Sequence, residues 1–249
     1  MTSKAIRAAL AALVIPLLPA SAHAATCETA IFENTPMSVC TLDPSVDDIR
    51  LWHRDEDGSI LGTFERVNGL LAAQGLTLGV AMNGGMYHDD RRPVGHYVEN
   101  GVETMRLVTS EGPGNFGLLP NGVFCLAGTT AMVLETNAFA DSGTACDFAT
   151  QSGPMLVIDG TLHPRFRPDG TSSFIRNGVG VRDDGQVVMA ISDRPVTFHS
   201  FGRFFRDELQ TPNALFIDGN VSRLYAPSLG RNDFGFPMGP ILGTAVAAD

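Results

Sequence analysis

Residues 200–219 read SFGRFFRDELQTPNALFIDG. Phe201, Phe204, Phe205, Glu208 and Leu209 recur at the spacing of one helix face, and Ser200 stands where an N-cap hydroxyl belongs. The apolar run Ala214 to Ile217 then predicts a buried strand, which delivers Asp218-Gly219 to its C-terminal end. A helix followed by the strand it can pack on is an αβ unit, so the chain is not all-β.

Outward from this unit, Gly and Pro punctuate the chain every few residues and the runs between them are short. Strands are predicted at Thr77 to Met82, His96 to Val98, Ala131 to Glu135, Met155 to Ile158, Val179 to Arg182 and Gln186 to Ile191. Asn115 to Leu119 and Gly122 to Leu126 flank Pro120-Asn121, which reads as a hairpin turn. A second helix is predicted over Phe64 to Ala73, with Gly69 weakening its periodicity. The sum is an α+β fold: a single strand-rich domain with a mixed sheet and few helices. Residues 76–249 carry the motifs, and 25–75 read as a less central N-terminal portion of the same domain.

Residues 1–24 read as a signal peptide. Lys4 and Arg7 open it, an Ala- and Leu-rich run follows, and Ala22-His23-Ala24 supplies the small residues of a cleavage site. The run falls short of the ~20 apolar residues that span a bilayer. Removing Lys4 and Arg7 moves the formal charge from −10 to about −12, and every remaining basic residue is Arg. An acidic chain without a basic run is a poor binder of nucleic acid or anionic lipid, yet one Arg in a cleft can still hold a phosphate. Cys27, Cys40, Cys125 and Cys146 form an even set in an exported chain, which points to two disulfides. Of three pairings, the local ones, Cys27–Cys40 and Cys125–Cys146, each close a loop between neighbouring segments. The expected location is periplasmic or extracellular.

Four clusters can carry chemistry. Asn83-Gly84-Gly85-Met86-Tyr87 ends a strand with an amide and two glycines, or is a plain Asn-Gly turn. Gly153-Pro154 leads into an apolar strand, or is simple turn chemistry. Arg176 precedes a glycine-punctuated strand and can bind an anion bidentately, or forms a surface ion pair. Asp218 at a strand end can act as acid, base or metal ligand, or belongs to an Asp-Gly turn. No nucleophile elbow, Walker loop, dinucleotide fingerprint or zinc spacing is present. No metal site or cofactor is indicated, and the use of a divalent cation is left open.

In order along the chain, Asn83-Gly84-Gly85-Met86-Tyr87, Gly153-Pro154-Met155-Leu156, Arg176-Asn177-Gly178-Val179-Gly180 and Asp218-Gly219 resemble the phosphodiester glycosidase family. Asn115-Phe116, Pro120-Asn121-Gly122-Val123-Phe124 and Gly239-Pro240-Ile241 are similar to its exported bacterial branch. The pattern runs from Val80 to about Gly243. One departure is Asp218-Gly219-Asn220-Val221-Ser222 where the family carries Asp-Gly-Gly-Gly-Ser; side chains at Asn220 and Val221 narrow a glycine-lined site.

The resemblance implies hydrolysis of a sugar-1-phosphodiester in envelope or extracellular glycans. Asp218, Arg176 and Asn83 are then the catalytic candidates: Asp218 as base or cation stabiliser, Arg176 on the phosphate, Asn83 on a sugar hydroxyl or acetamido group. Gly84, Gly85, His96, Gly153, Gly219 and Ser222 are candidates for binding the substrate, and Glu99 and Asp159 for a second carboxylate. The partner is a glycan or sugar-phosphodiester substrate. The alternative is a non-catalytic carbohydrate- or phosphoglycan-binding protein that keeps the cleft without turnover.

Overall fold

The computed structural model describes residues 25–248; the predicted leader, residues 1–24, lies outside them. In chain order the strands are β1 (Thr26–Phe32), β2 (Thr35–Leu42), β3 (Asp48–Trp52), β4 (Leu76–Asn83), β5 (Tyr97–Glu99), β6 (Val102–Met105), β7 (Gly122–Ala127), β8 (Thr130–Glu135), β9 (Phe148–Ser152), β10 (Met155–Ile158), β11 (Thr161–Leu162), β12 (Asn177–Val181), β13 (Val187–Ser192), β14 (Asn213–Asp218), β15 (Leu224–Ala226), β16 (Arg231–Asn232) and β17 (Ile241–Ala247). The helices are α1 (Phe64–Ala72), α2 (Thr136–Ser142) and α3 (Phe198–Arg203), the last continuing into a π turn, Phe204–Glu208.

The strands form three sheets. One has seven strands in the order β1-β2-β13-β12-β14-β10-β11; the others have five each, ordered β16-β15-β4-β17-β3 and β6-β5-β9-β7-β8. Every ladder among the described residues is antiparallel, which corrects the expected mixed sheet. Parallel pairing needs a crossover of a dozen or more residues. Here neighbours in sequence are joined by tight turns, such as Asn100-Gly101 with φ of 53° and 75° between β5 and β6. The N-terminal portion is not peripheral: β2 lies between β1 and β13, and β3 pairs with β17.

Alternation along β13 shows how the core is built. Val187, Met189 and Ile191 face a cluster that also contains Leu42, Leu51, Met82, Tyr97, Phe124 and Ile217, so strands of all three sheets share it. Val188 and Ala190 face the opposite way, towards Phe201, Phe204, Phe205 and Phe216. A period of two with both faces buried marks an interior strand. On the β4–β17 sheet, α1 lays down Phe64, Val67 and Leu71, capped by Thr63, whose hydroxyl accepts from Arg66 N at 3.3 Å.

Two local expectations shift. The last helix starts at Phe198, not after Ser200, because the Thr197 hydroxyl accepts the Ser200 N–H at 3.2 Å and takes the capping role. Its π turn, closed by Leu209 N donating to Phe204 O at 3.0 Å, keeps Phe204, Phe205 and Leu209 in the core. Residues 115–119 form turns rather than a strand, β7 forms its hairpin with β8 instead, and Leu119–Pro120 is cis. Both predicted disulfides are present; Cys27–Cys40 joins directly paired positions of β1 and β2.

Candidate functional site

Register places the two charged candidates together. Asn177, the first residue of β12, pairs with Asp218, the last of β14. Arg176 precedes the one, and Asp218 closes the other, so guanidinium and carboxylate leave the seven-stranded sheet at one end. Strand β4 ends at Asn83 in the neighbouring sheet. The two sheets are pinned there by a reciprocal amide pair: Asn83 Nδ2 donates to Asn177 Oδ1 at 3.3 Å, and Asn177 Nδ2 donates to Asn83 Oδ1. The same two oxygens accept from Asp218 N at 3.0 Å and Arg223 N at 3.1 Å.

Asn83 is fully buried with its amide committed to this clip, so it holds the 218–223 loop from behind rather than reaching the cleft. Ser222 works in the same way. Its hydroxyl lies 2.9 Å from Asp218 O and 3.1 Å from Ile175 O, tying the loop to the approach of β12.

Arg176 is 1% exposed and, among the described residues, has no carboxylate partner. Its Nε donates to Val196 O at 2.9 Å and its Nη2 to Ser172 O at 3.1 Å. The guanidinium stands 3.6 Å from the ring centroid of Phe198 and is flanked by Phe174 and Phe216. Burial lowers its pKa to about 10. Buried charges are normally paired, because desolvation is costly. An arginine immobilised by carbonyls and aromatic faces, with no carboxylate partner among the described residues, has the chemistry to bind an anion.

Arg176 and Asp218 both line a cleft of about 850 Å³. Burial raises the Asp218 carboxyl above the ordinary aspartate value, opposed by the N–H groups of Asn220, Gly219 and Val221; Asn220 N donates to Asp218 Oδ1 at 2.8 Å. Gly219 lines the cleft too, and a Cβ there would meet Phe216 Cζ at 3.0 Å and Arg176 Nη1 at 3.7 Å. Asn220 and Val221, which replace glycines of the resembled motif, also line it.

The other candidates lie elsewhere. His96 faces the third sheet, with Nδ1 3.2 Å from Glu103 Oε2 and its ring on Phe139, and burial lowers its pKa. Gly84, Gly85 and Gly153 are packing glycines: a Cβ would meet Leu242 N at 2.8 Å, Thr150 Oγ1 at 2.7 Å and Asn121 Cβ at 2.6 Å respectively. Glu99 accepts from Tyr97 Oη at 2.9 Å, Asp159 pairs with Asn213, and neither lines the cleft.

Residues not singled out beforehand complete the site. Asp89 is the second carboxylate on the cleft lining, beside His88, Arg91 and Tyr87. The Tyr87 ring is wedged between the Arg91 guanidinium, 4.9 Å from its centroid, and Gly239, where a Cβ would come within 2.5 Å of Tyr87 Cδ1. Burial and then the Asp218 charge raise the Tyr87 pKa. The signal for Tyr87 and Gly239 was present, since both fall inside quoted motifs; what joined them was invisible. Among the described residues no group of three His, Cys, Asp or Glu is placed to hold a metal ion, and no helix is long and apolar enough to cross a membrane.

Comparison with known proteins bears on this geometry. A family model described as phosphodiester glycosidase matches residues 77–235. The chain is 34% identical over 214 residues to the uncharacterized protein YigE of Escherichia coli (strain K12), covering 86% of this chain and 83% of YigE. Its fold is similar to the catalytic domain of zebrafish N-acetylglucosamine-1-phosphodiester alpha-N-acetylglucosaminidase, solved auto-inhibited by its pro-peptide. That match has a TM-score of 0.59 at 13% identity, over 88% of this chain and 81% of the other. A Burkholderia pseudomallei protein described as exported matches with a TM-score of 0.56 at 11% identity, over 85% and 74%. At such identities the structural matches show the fold alone.

Proposed function

The chain belongs to the phosphodiester glycosidase family, and from that premise we propose that it hydrolyses a glycosyl phosphodiester at the anomeric carbon–oxygen bond, outside the cytoplasm. The observation that carries the reading is a buried arginine, without a carboxylate partner among the described residues, sharing one cleft with a buried aspartate. The diester phosphate carries one negative charge, which Arg176 neutralises in the ground state. As the bond to the sugar breaks, the leaving phosphate monoester gains a second charge. A guanidinium already fixed by Val196 O and Ser172 O stabilises that charge without reorganising. A phosphate leaving group needs little protonation, so a single well-placed carboxylate goes far. Asp218, raised by desolvation, takes a proton from the attacking water or stabilises the positive anomeric carbon. Asp89 stands in the same cleft as the candidate for the second carboxylate of a glycosidase pair. Two disulfides and the resemblance to an exported protein support a periplasmic or extracellular location.

The test is release of phosphate monoester from a panel of sugar-1-phosphodiesters in labelled water, with label expected in the sugar. Arg176→Ala and Asp218→Asn are each expected to lower kcat/KM by about 100-fold or more with the fold retained. Unchanged rates in both would remove the mechanism. The non-catalytic alternative draws on Asn220 and Val221 in the cleft wall; glycan binding without turnover in the same preparation would favour it.

A further inference from the structure

Exposed phenylalanines are concentrated at the mouth of this cleft. Among the described residues the exposed large apolar side chains include Phe174 (52%), Ile175 (42%), Phe234 (95%) and Phe236 (79%). Phe174 and Phe236 line the cleft, and Ile175 and Phe234 flank them in sequence. Their backbones are fixed. Phe174 exchanges hydrogen bonds with Val196, 3.2 Å through its N and 2.8 Å through its O. The residue after Phe236 offers its carbonyl to Arg91 Nη1 at 2.7 Å and to Tyr87 Oη at 3.4 Å. Rings held out into water on rigid supports cost burial the fold forgoes, and such clusters mark binding surfaces.

The position of Arg176 says what the rings face. Its guanidinium lies 5.5 Å from the Phe174 ring centroid, so a ligand anchored there by phosphate must carry one ester arm past that ring. The sugar arm has polar company in the cleft, from His88, Asp89 and Asn220. Arg91 and Asn115 line the cleft as well, but the exposed large apolar side chains there are Phe174 and Phe236, and Phe lacks the polar tip that Tyr and Trp offer to a hydroxyl-bearing partner. At about 850 Å³ the cleft is near the upper end of the ~300–1,000 Å³ typical of small-molecule sites, which leaves room beyond a single sugar phosphate.

We infer that the second arm of the phosphodiester is an apolar chain, so that the substrate is a glycosyl phosphate ester of a long-chain alcohol, packed against Phe174, Phe236 and their neighbours. The inference rests on the glycosyl-phosphodiester reading above. It differs from a sugar or polyol second arm, which would bury less apolar surface against the phenylalanines.

The test measures kcat/KM for the methyl, butyl and octyl diesters of N-acetylglucosamine 1-phosphate, each below its micellar concentration, on the mature chain. Each methylene that becomes buried should raise kcat/KM by up to about fourfold, so octyl should exceed methyl by at least about tenfold. The double variant Phe174→Ser/Phe236→Ser should bring the octyl-to-methyl ratio towards one; because the Phe174 ring also flanks the Arg176 guanidinium, Phe236→Ser alone, at a ring 79% exposed, should lower the ratio in the same direction with thermal unfolding unchanged. A flat chain-length series with the methyl ester cleaved would overturn the inference and leave the hydrolase reading standing. So would preference for a hexose second arm over octyl. If no diester is cleaved, the hydrolase reading fails, and calorimetry of octyl phosphate against methyl phosphate decides. Tighter octyl binding that the double variant loses upholds only an apolar arm on the phosphate ester that the cleft binds; equal binding ends that too. Binding to phosphatidylcholine vesicles without any phosphodiester, lost in the double variant, would assign the rim to a membrane surface and overturn the inference as well.

Discussion

Replacing Arg176 with Met should leave the ligand-free protein more stable and unable to respond to phosphate. Burial lowers the guanidinium pKa from its ordinary value to about 10, which at ~1.4 kcal/mol per pKa unit corresponds to about 3 kcal/mol. The sign follows from linkage. The unfolded chain holds this proton more tightly than the native one, so the full penalty applies at any pH below about 10 and fades only as pH rises towards the unfolded value. Methionine removes the charge and fills similar space. Val196 O keeps the bond from Phe174 N at 3.2 Å, and Ser172 is exposed to water, so neither carbonyl is stranded. Losing the contact with Phe198 offsets about 1–2 kcal/mol. The net gain is about 1–2 kcal/mol, or about 2–8 °C in Tm for a domain of this size. With N-acetylglucosamine 1-phosphate at 100 times its Kd, wild type should gain about 2.7 kcal/mol and the variant nothing. Thermal unfolding at pH 7 with and without that ligand reads both. A variant that melts below wild type and keeps the ligand shift would refute the idea of an arginine held in reserve for an anion.

Other consequences can be measured on the same preparation. Asp218→Asn should lower kcat by about 100-fold or more. Because the native carboxyl is raised, the native state holds this proton more tightly than the unfolded chain; wild type should therefore lose stability relative to Asp218→Asn as pH rises through the native pKa, seen by urea unfolding at a series of pH values. Asn83→Ala strands the Asn177 amide and the Arg223 N–H, with an expected cost of about 2–4 kcal/mol in urea unfolding; an unchanged midpoint would contradict the clip. Gly239→Ala drives a Cβ to 2.5 Å from Tyr87 Cδ1 and should cost about 1–3 kcal/mol while raising KM, because Tyr87 is pushed along the cleft wall. Cys125→Ser/Cys146→Ser opens a link across 21 residues, worth about 3 kcal/mol by loop entropy, read as a fall in Tm; reductant should lower the Tm of wild type further, because it also opens Cys27–Cys40.

Local patterns were largely legible. Met155 to Ile158 is the observed β10 without change, the observed β14 adds one residue at each end of Ala214 to Ile217, and β8 adds one residue before Ala131 to Glu135. The misreadings have physical causes. Ser200 looked like a cap, but Thr197 stands three residues ahead of the N–H that needs capping. Asn115 to Leu119 looked like a strand because it is apolar near a Pro-Asn pair, yet its N–H groups are spent within the segment, Leu118 N donating to Asn115 O at 3.2 Å and Leu119 N to Gly117 O at 3.1 Å, so it closes into turns. Asn83 and Ser222 read as ligand groups through the family resemblance. Their partners, Asn177 and Ile175, lie 94 and 47 positions away, and only those partners show that both are braces.

The amino-acid order alone determined the alternation and turn chemistry of the strands, the helical face over Phe64 to Ala73 and the even cysteine set, because each depends on residues close together in the chain. Orientation was decided by tertiary structure. Arg176 and Asp218 face one cleft because β12 and β14 pair in a particular register. His96 turns away because the strand it leads into, β5, belongs to another sheet. Whether a polar side chain meets water, ligand or another amide depends on which distant strand lies beside it, and the sum of long-range packing sets that pairing.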